Sequence, residues 1–290
     1  MTKPEPIRFV AQGLEGPTRL DRVLRDRFPQ WGRQAVQRSI SAGKVRLNAR
    51  VVRLASWEVH RGDRVEISDP PVAKLPPPES LHNDWIVSEE ADLIVINKPA
   101  GLLSQAARFG TTTSLLDLAQ ARFGEVVLFH RLDRDTSGLV LLTRPGAINK
   151  YLDEAFKSHT VQKEYLAVVA TPNRLEPSGV IEARLGPDQR RRDQMQVVPR
   201  GGQRAVTRYA VEQQVADRQL VRLWPETGRT HQLRVHLAHL GAPIVGDRLY
   251  GTRPADEARL LLHAERISLP EAEGFSARSY YAPLPAGFWT

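Results

Sequence analysis

Residues 69–80 read DPPVAKLPPPES. Proline lacks the N–H that a helix interior or a central strand needs, and its ring fixes φ. A stretch this dense in proline is a semi-rigid extended linker. It divides the 290 residues into a small unit, 1–68, and a larger one, 81–290. The length agrees, because a chain of this size suits two domains better than one small core.

The linker also divides the charge. The net charge is +8, and residues 1–80 hold 15 Lys and Arg against 9 Asp and Glu, whereas 81–290 hold 26 against 24. An arginine-rich module ahead of a nearly neutral body suggests attachment to a polyanion, and RNA or DNA is the expected partner. The plain alternative is a basic, solvated surface. Cysteine is absent, which excludes disulfides, thiolate nucleophiles and cysteine-bound zinc. No apolar run reaches the length of a membrane span, and MTKPEPIRFV lacks the apolar core of a signal peptide. A cytoplasmic protein, acting as a monomer, is the expectation.

Residues 18–68 form one compact pattern. Leu20, Val23, Leu24 and Phe28 share one helical face, and Ala35, Val36 and Ile40 repeat it before Gly43. Short extended stretches follow at 44–48, 51–54 and 62–67. Arg19, Arg22, Arg25, Arg33 and Arg38 lie on or beside the two helices, with Lys44 and Arg46 just after. Beyond the linker, strands dominate. Helices are predicted from Ser114, a candidate N-cap, over about 147–157, and over THQLRVHLAHLG (230–241). Runs of strands with few helices between them predict an α+β fold with a largely antiparallel mixed sheet.

FHRLDRDTSG (129–138) stands between two apolar runs, Val126–Phe129 and Leu139–Leu142. A hairpin turn needs Gly, Asn or Asp and little charge. Three constellations could explain the excess. Asp133 lies between Arg131 and Arg134, and a carboxylate beside guanidinium groups is favoured in its charged form. That suits a nucleophile or general base, and a structural ion-pair cluster is the bland reading. Second, Asp133-x-Asp135 is a degraded image of a phosphatase DxDxT loop of the haloacid-dehalogenase type, with no later acidic pair to complete a Mg²⁺ site. Third, His231, His236 and His239 lack the glutamate of a zinc-protease motif.

HRLDRDTSG resembles the H-R-L-D-x-x-T-S-G signature of the RluA-type pseudouridine synthases. VINKPAGLL (95–103), KEYLAVV (163–169), TGRTHQLRVHLAHLGAPIVGDRLYG (227–251) and LLLHAERISL (260–269) resemble further motifs of that family, in the same order. Residues 18–68 resemble an S4-type RNA-binding domain. The chain departs from the pattern at Ser104 and Gln105, where a His-Pro pair is common, and at Gln194 and Gln203, where lysine is common.

The resemblance implies an isomerase that converts uridine to pseudouridine in RNA, most often large-subunit ribosomal RNA and next transfer RNA. It implies no metal or cofactor. It makes Asp133 the catalytic carboxylate, Arg234 its partner and Tyr165 the ring that stacks on the turned-out uracil. Arg131 and Arg229 become candidate RNA contacts, as do Arg19, Arg33, Arg38 and Lys44 in the first unit. The rival from another class is a non-catalytic RNA-binding protein that keeps a synthase-like body.

Overall fold

The computed structural model describes residues 6–28, 31, 33–68, 78–106, 113–170, 175–191, 193–251 and 259–289. Most of the proline-rich linker, residues 69–77, lies outside the described residues. The chain divides into two compact units, Met1–Pro76 and Pro77–Thr290.

The first unit holds β1 (Ile7–Val10), β2 (Thr18–Arg19), α1 (Leu20–Arg27), α2 (Arg33–Ser41), β3 (Val45–Leu47), β4 (Arg50–Val52), β5 (Glu58–Val59) and β6 (Arg64–Ile67). An antiparallel sheet runs β1-β6-β3-β4, and β2 pairs with β5. Leu20, Val23 and Leu24 of α1 pack with Val36 and Ile40 of α2 over Val45, Leu47, Val65 and Ile67. The helix spacing puts these apolar residues on one stripe, which is why two short helices suffice to cover the sheet.

The second unit holds β7 (Ile86–Glu89), β8 (Leu93–Lys98), α3 (Leu115–Phe123), β9 (Val127–Leu128), β10 (Ser137–Thr143), α4 (Ala147–Lys157), β11 (Gln162–Ala170), β12 (Ser178–Pro187), β13 (Met195–Val197), β14 (Gln203–Val215), β15 (Arg218–Pro225), α5 (Gln232–His239), β16 (Leu262–Leu269) and β17 (Arg278–Tyr281). One sheet runs β13-β12-β14-β15-β11-β16-β10-β8-β7, with β17 on β16 and β9 on β10. Among the described strands β10 and β16 pair in parallel, and the other pairings are antiparallel.

The central strands are apolar without alternation because both faces are covered. Ile94, Ile96, Val140 and Leu142 pack against α3 on one face, and Leu93, Val95, Leu139 and Leu141 pack against α4 on the other. Leu233 and Leu237 of α5 cover Ala167, Val169, Val221 and Leu223. Ser114 caps α3 in a reciprocal box with Asp117. Gly138 opens β10 at φ +116, where an added Cβ would stand 2.2 Å from the Ala264 carbonyl oxygen of β16. Only glycine lets the parallel pair approach there.

Two rings in the core contribute to acid stability. His236 accepts or donates at Thr207 Oγ1 (3.0 Å), and His263 lies between Ser137 Oγ (2.8 Å) and the Ala282 carbonyl (3.1 Å). Both are fully buried, and burial pushes each down to about 4. In the unfolded chain each takes a proton near the ordinary 6.5. The unfolded state therefore binds more protons below that pH. Stability present above about 6.5 is lost as pH falls toward about 4, by roughly 1.4 kcal/mol per pH unit for each ring. Thermal melts from about pH 7 to about pH 5 are expected to step downward, and His236→Gln to flatten the dependence. A slope that His236→Gln leaves unchanged would remove that ring from the account.

Candidate active site

Residues 129–136 connect β9 to β10, which pair antiparallel through Leu128 and Leu142. The connection is held at several points. Leu132 is buried in the core below. Ser104 Oγ donates to the Leu132 carbonyl (2.8 Å) and accepts its N–H (3.0 Å). The Gly101 N–H donates to the Arg134 carbonyl (2.8 Å), and the Thr136 N–H closes a turn on the Asp133 carbonyl (3.2 Å). At the far end, the Ser137 hydroxyl, which meets His263, also accepts from Arg259 Nη2 (2.6 Å).

Lys98 joins the two loops. It is fully buried, and its ammonium donates to the carbonyls of Pro99 (2.9 Å), Leu102 (2.8 Å) and Arg134 (3.1 Å). Burial pushes this group down to about 7, while Asp135 and Asp133 pull it back up. Three N–H bonds meet three carbonyls, so one side chain ties NKPAG to the loop that carries Asp133.

Asp133 stands at the tip, 27 % exposed, with Oδ2 accepting from Arg234 Nη1 at 3.1 Å. Arg234 is almost wholly buried. Its other edge makes a two-point contact with Asp247, Nε to Oδ2 and Nη2 to Oδ1, both at 2.8 Å. Asp247 Oδ1 also accepts the N–H groups of Leu249 (2.9 Å) and Tyr250 (3.1 Å). The guanidinium is thus fixed from behind before it meets Asp133. Such planar two-point pairs carry orientation as well as energy.

His231 precedes α5 in a left-handed conformation (φ 55), so the helix begins at Gln232, later than the sequence predicts. Tyr250 Oη accepts the Met195 N–H (2.9 Å) and lies 2.7 Å from His231 Nδ1. His231 Nε2 lies 3.9 Å from Asp133 Oδ2. Arg234 Nη1 and this ring edge both face Oδ2. Tyr165, half-buried on β11, packs at the seam of the cores under α3 and α5. Burial and the Asp133 charge push its hydroxyl well above the ordinary tyrosine range, so the phenol keeps its proton.

These groups line a cleft of about 800 Å³ that also takes in Arg131, Phe156, Lys163 and Arg229. Arg131 is exposed, with no hydrogen bond or ion pair among the described residues. Arg229 Nε donates to the Arg204 carbonyl (3.1 Å). Asp133 with its sequence neighbours Arg131 and Arg134 is not the ion cluster that adjacency suggests. Arg134 pairs with Asp135 (2.9 and 3.0 Å), and the brace on Asp133 comes from Arg234, a hundred positions away. Arg134 turns to its other neighbour, Asp135, so proximity to Asp133 in sequence misleads here. His236 is a buried packing ring, and among the described residues no cluster of three metal-ligating side chains occurs.

In the first unit Arg33 and Arg38 are exposed on α2 and Lys44 is half-buried. Arg19 is held by Asp21 at 3.0 and 3.3 Å, and Arg22 lies 3.6 Å from Asp26. Asp21 is buried while Arg19 is exposed, and the exposed Arg22–Asp26 pair contributes little stability.

Of the departures from the family pattern, Ser104 is the clamp on Leu132, and Gln194 Nε2 donates to the Leu249 carbonyl (3.0 Å). The sequence does not single out Lys98, Asp247 or Tyr250, and it offers His231 only among candidate metal ligands. The signal for Lys98 was a lysine ending an apolar run, LIVINK. Nothing local marked Asp247.

A family model described as RNA pseudouridylate synthase matches residues 92–239, and the S4 domain model matches 18–65. An uncharacterized RNA pseudouridine synthase of Chloroflexus aurantiacus is 37% identical over 278 residues, 92% of this chain and 87% of that protein. Ribosomal large subunit pseudouridine synthase C of Vibrio cholerae is 33% identical over 293 residues, 92% of this chain and 90% of the other. Among solved structures, human RNA pseudouridylate synthase domain containing 1 superposes with a TM-score of 0.60 at 28% identity. It covers 69% of this chain and 83% of its own.

Proposed function

Because the chain belongs to the RNA pseudouridylate synthase family, and is an isomerase that acts on RNA, we propose that it converts one or more uridines of large-subunit ribosomal RNA. The observation that carries this reading is the Asp133 carboxylate, open to the cleft and gripped on one oxygen by Arg234. The names of relatives such as the Vibrio cholerae protein support the ribosomal substrate.

The reaction breaks the uracil N1–ribose bond, turns the base and joins its C5 to the same sugar carbon, with the C5 proton released and N1 protonated. By stoichiometry it needs no oxidant, reductant or group donor. The uridine must leave its stack to reach Asp133, at a cost of roughly a few kcal/mol. In this reading Tyr165 stacks on the uracil, and Asp133 Oδ1, which accepts from no donor among the described residues, works at the sugar. Arg234 holds Oδ2. Arg131 and Arg229 receive backbone phosphates, which position RNA without reading its sequence. The test is to sequence ribosomal RNA from a deletion strain after pseudouridine-specific chemical adduction. Loss of signal at a large-subunit uridine, restored by the purified protein on a transcript, is expected. Signal lost only from transfer RNA would replace the substrate.

The S4 unit, residues 1–68 with Arg19, Arg33, Arg38 and Lys44, supplies RNA affinity in this reading, and residues 81–290 supply the chemistry. Tethering raises the local concentration of RNA at the cleft. Deleting residues 1–78 is expected to weaken binding at least about tenfold. The salt slope should fall by about 0.7–0.9 for each phosphate that the shortened chain no longer neutralises, while single-turnover rate at saturating enzyme stays within a few-fold. An unchanged affinity and slope would show that the arginines face no RNA.

A further inference from the structure

We propose that Lys163, together with the His130 ring, forms a subsite for one backbone phosphate beside the uridine that enters the cleft. The inference rests on the RNA reading above. It assigns the residues that grip the reacting nucleotide's own strand.

Lys163 lies on β11 two residues before Tyr165, and both line the cleft. The other cations there are engaged or solvated. Arg134 lies on Asp135, Arg234 on Asp133 and Asp247, and Arg229 on a carbonyl. Arg131 is exposed to water. Lys163 is half-buried, and among the described residues no carboxylate or carbonyl pairs with its ammonium. What lies beside it is the Phe156 ring, whose centroid is 5.5 Å from Nζ. An aromatic face attracts a cation but carries no counter-charge. A half-buried ammonium without a counter-ion is costly, and burial lowers this one from the ordinary lysine value.

His130 completes the subsite. Its ring stacks on the same Phe156 (centroids 5.6 Å apart), and its Nε2 accepts the Leu141 N–H at 3.2 Å. Burial first, and then the Lys163 charge, push this ring down to about 3, so it is neutral. A neutral ring that accepts on Nε2 carries its proton on Nδ1. His130 lines the cleft, and among the described residues its Nδ1–H has no partner. The Lys163 ammonium and the His130 ring thus both lie against one apolar ring, and among the described residues neither donor meets an anion.

A phosphodiester is the anion that RNA brings. Two residues along a strand span about 7 Å. In the proposed pose, a nucleotide whose base lies on Tyr165 places a flanking phosphate within that reach of Lys163. A bound phosphate supplies the missing counter-charge and accepts from both donors, as charge-assisted hydrogen bonds to phosphate do.

The test uses the full chain and a synthetic RNA stem-loop that contains the uridine mapped above. Single neutral methylphosphonates are placed at each linkage flanking that uridine. With the wild type, one linkage is expected to raise the dissociation constant about tenfold, the ordinary worth of one phosphate contact. Lys163→Met, which keeps the aliphatic stem on Phe156, should show the same loss on unmodified RNA and a salt slope lower by about 0.7–0.9. It should be insensitive to the methylphosphonate that hurts the wild type, and Lys163→Arg should restore sensitivity. Circular dichroism and Tm identify a variant that fails to fold, and the wild-type linkage scan stands without it. Wild-type tolerance of every neutral linkage, or equal sensitivity in Lys163→Met, would overturn the subsite. If the wild type makes no pseudouridine in unmodified RNA, the parent reading has failed instead.

Discussion

Asp133→Asn is expected to reduce single-turnover pseudouridine formation by about 10⁴-fold or more, the scale seen when a reacting group is removed from a preformed site. The geometry says why an isostere does not rescue. Arg234 Nη1 donates at the Oδ2 position. A guanidinium can only donate, so the asparagine amide turns its oxygen toward it. Its NH₂ then occupies the Oδ1 position, which faces the sugar, and an amide nitrogen neither attacks carbon nor takes a proton. RNA affinity should change less than about threefold, because phosphate contacts, not this carboxylate, hold the strand. A variant that still turns over at a near wild-type rate would show that another group carries the reaction.

Arg234→Met should damage stability as well as catalysis. Asp247 is fully buried, and its two-point contact with Arg234 is its charge partner. Removing one member of a buried pair leaves an uncompensated charge, at about 3–5 kcal/mol. Two backbone N–H groups, of Leu249 and Tyr250, still reach Asp247 Oδ1, which places the cost toward the lower end. A fall on the order of 10 °C in Tm follows for a unit of this size. Arg234→Met with Asp247→Leu should recover most of the stability, since apolar replacement of a buried pair is often neutral. It should recover none of the activity, because Asp133 remains unbraced. Equal Tm for Arg234→Met and wild type would show that Asp247 is satisfied without the guanidinium. Recovered turnover in the double variant would remove Arg234 from the site.

Local pattern was enough for the elements that form for local reasons. The stripe Leu20, Val23, Leu24 became α1, and Ser114 with Asp117 capped α3. The unbroken apolar run LIVI became a strand covered on both faces. Short or polar strands were not legible. Met195–Val197 and Arg278–Tyr281 carry no periodicity of their own and exist because a neighbouring strand offers hydrogen bonds.

The site divides along the same physical line. Its ingredients were legible in the chain: the charged loop at Asp133, Tyr165 on its strand and Arg234 on its helix, read through motifs that keep their order. Which charges meet was settled by packing. Arg134, adjacent to Asp133, turns to Asp135, while Arg234 arrives from 101 residues away. Lys98 became a tie between two loops, Asp247 a brace behind Arg234, and Lys163 a cation that meets an aromatic ring and, among the described residues, no carboxylate. Pairing energies depend on distance and on exclusion of water, and both are set by how helices and strands pack, which adjacency in the chain does not encode.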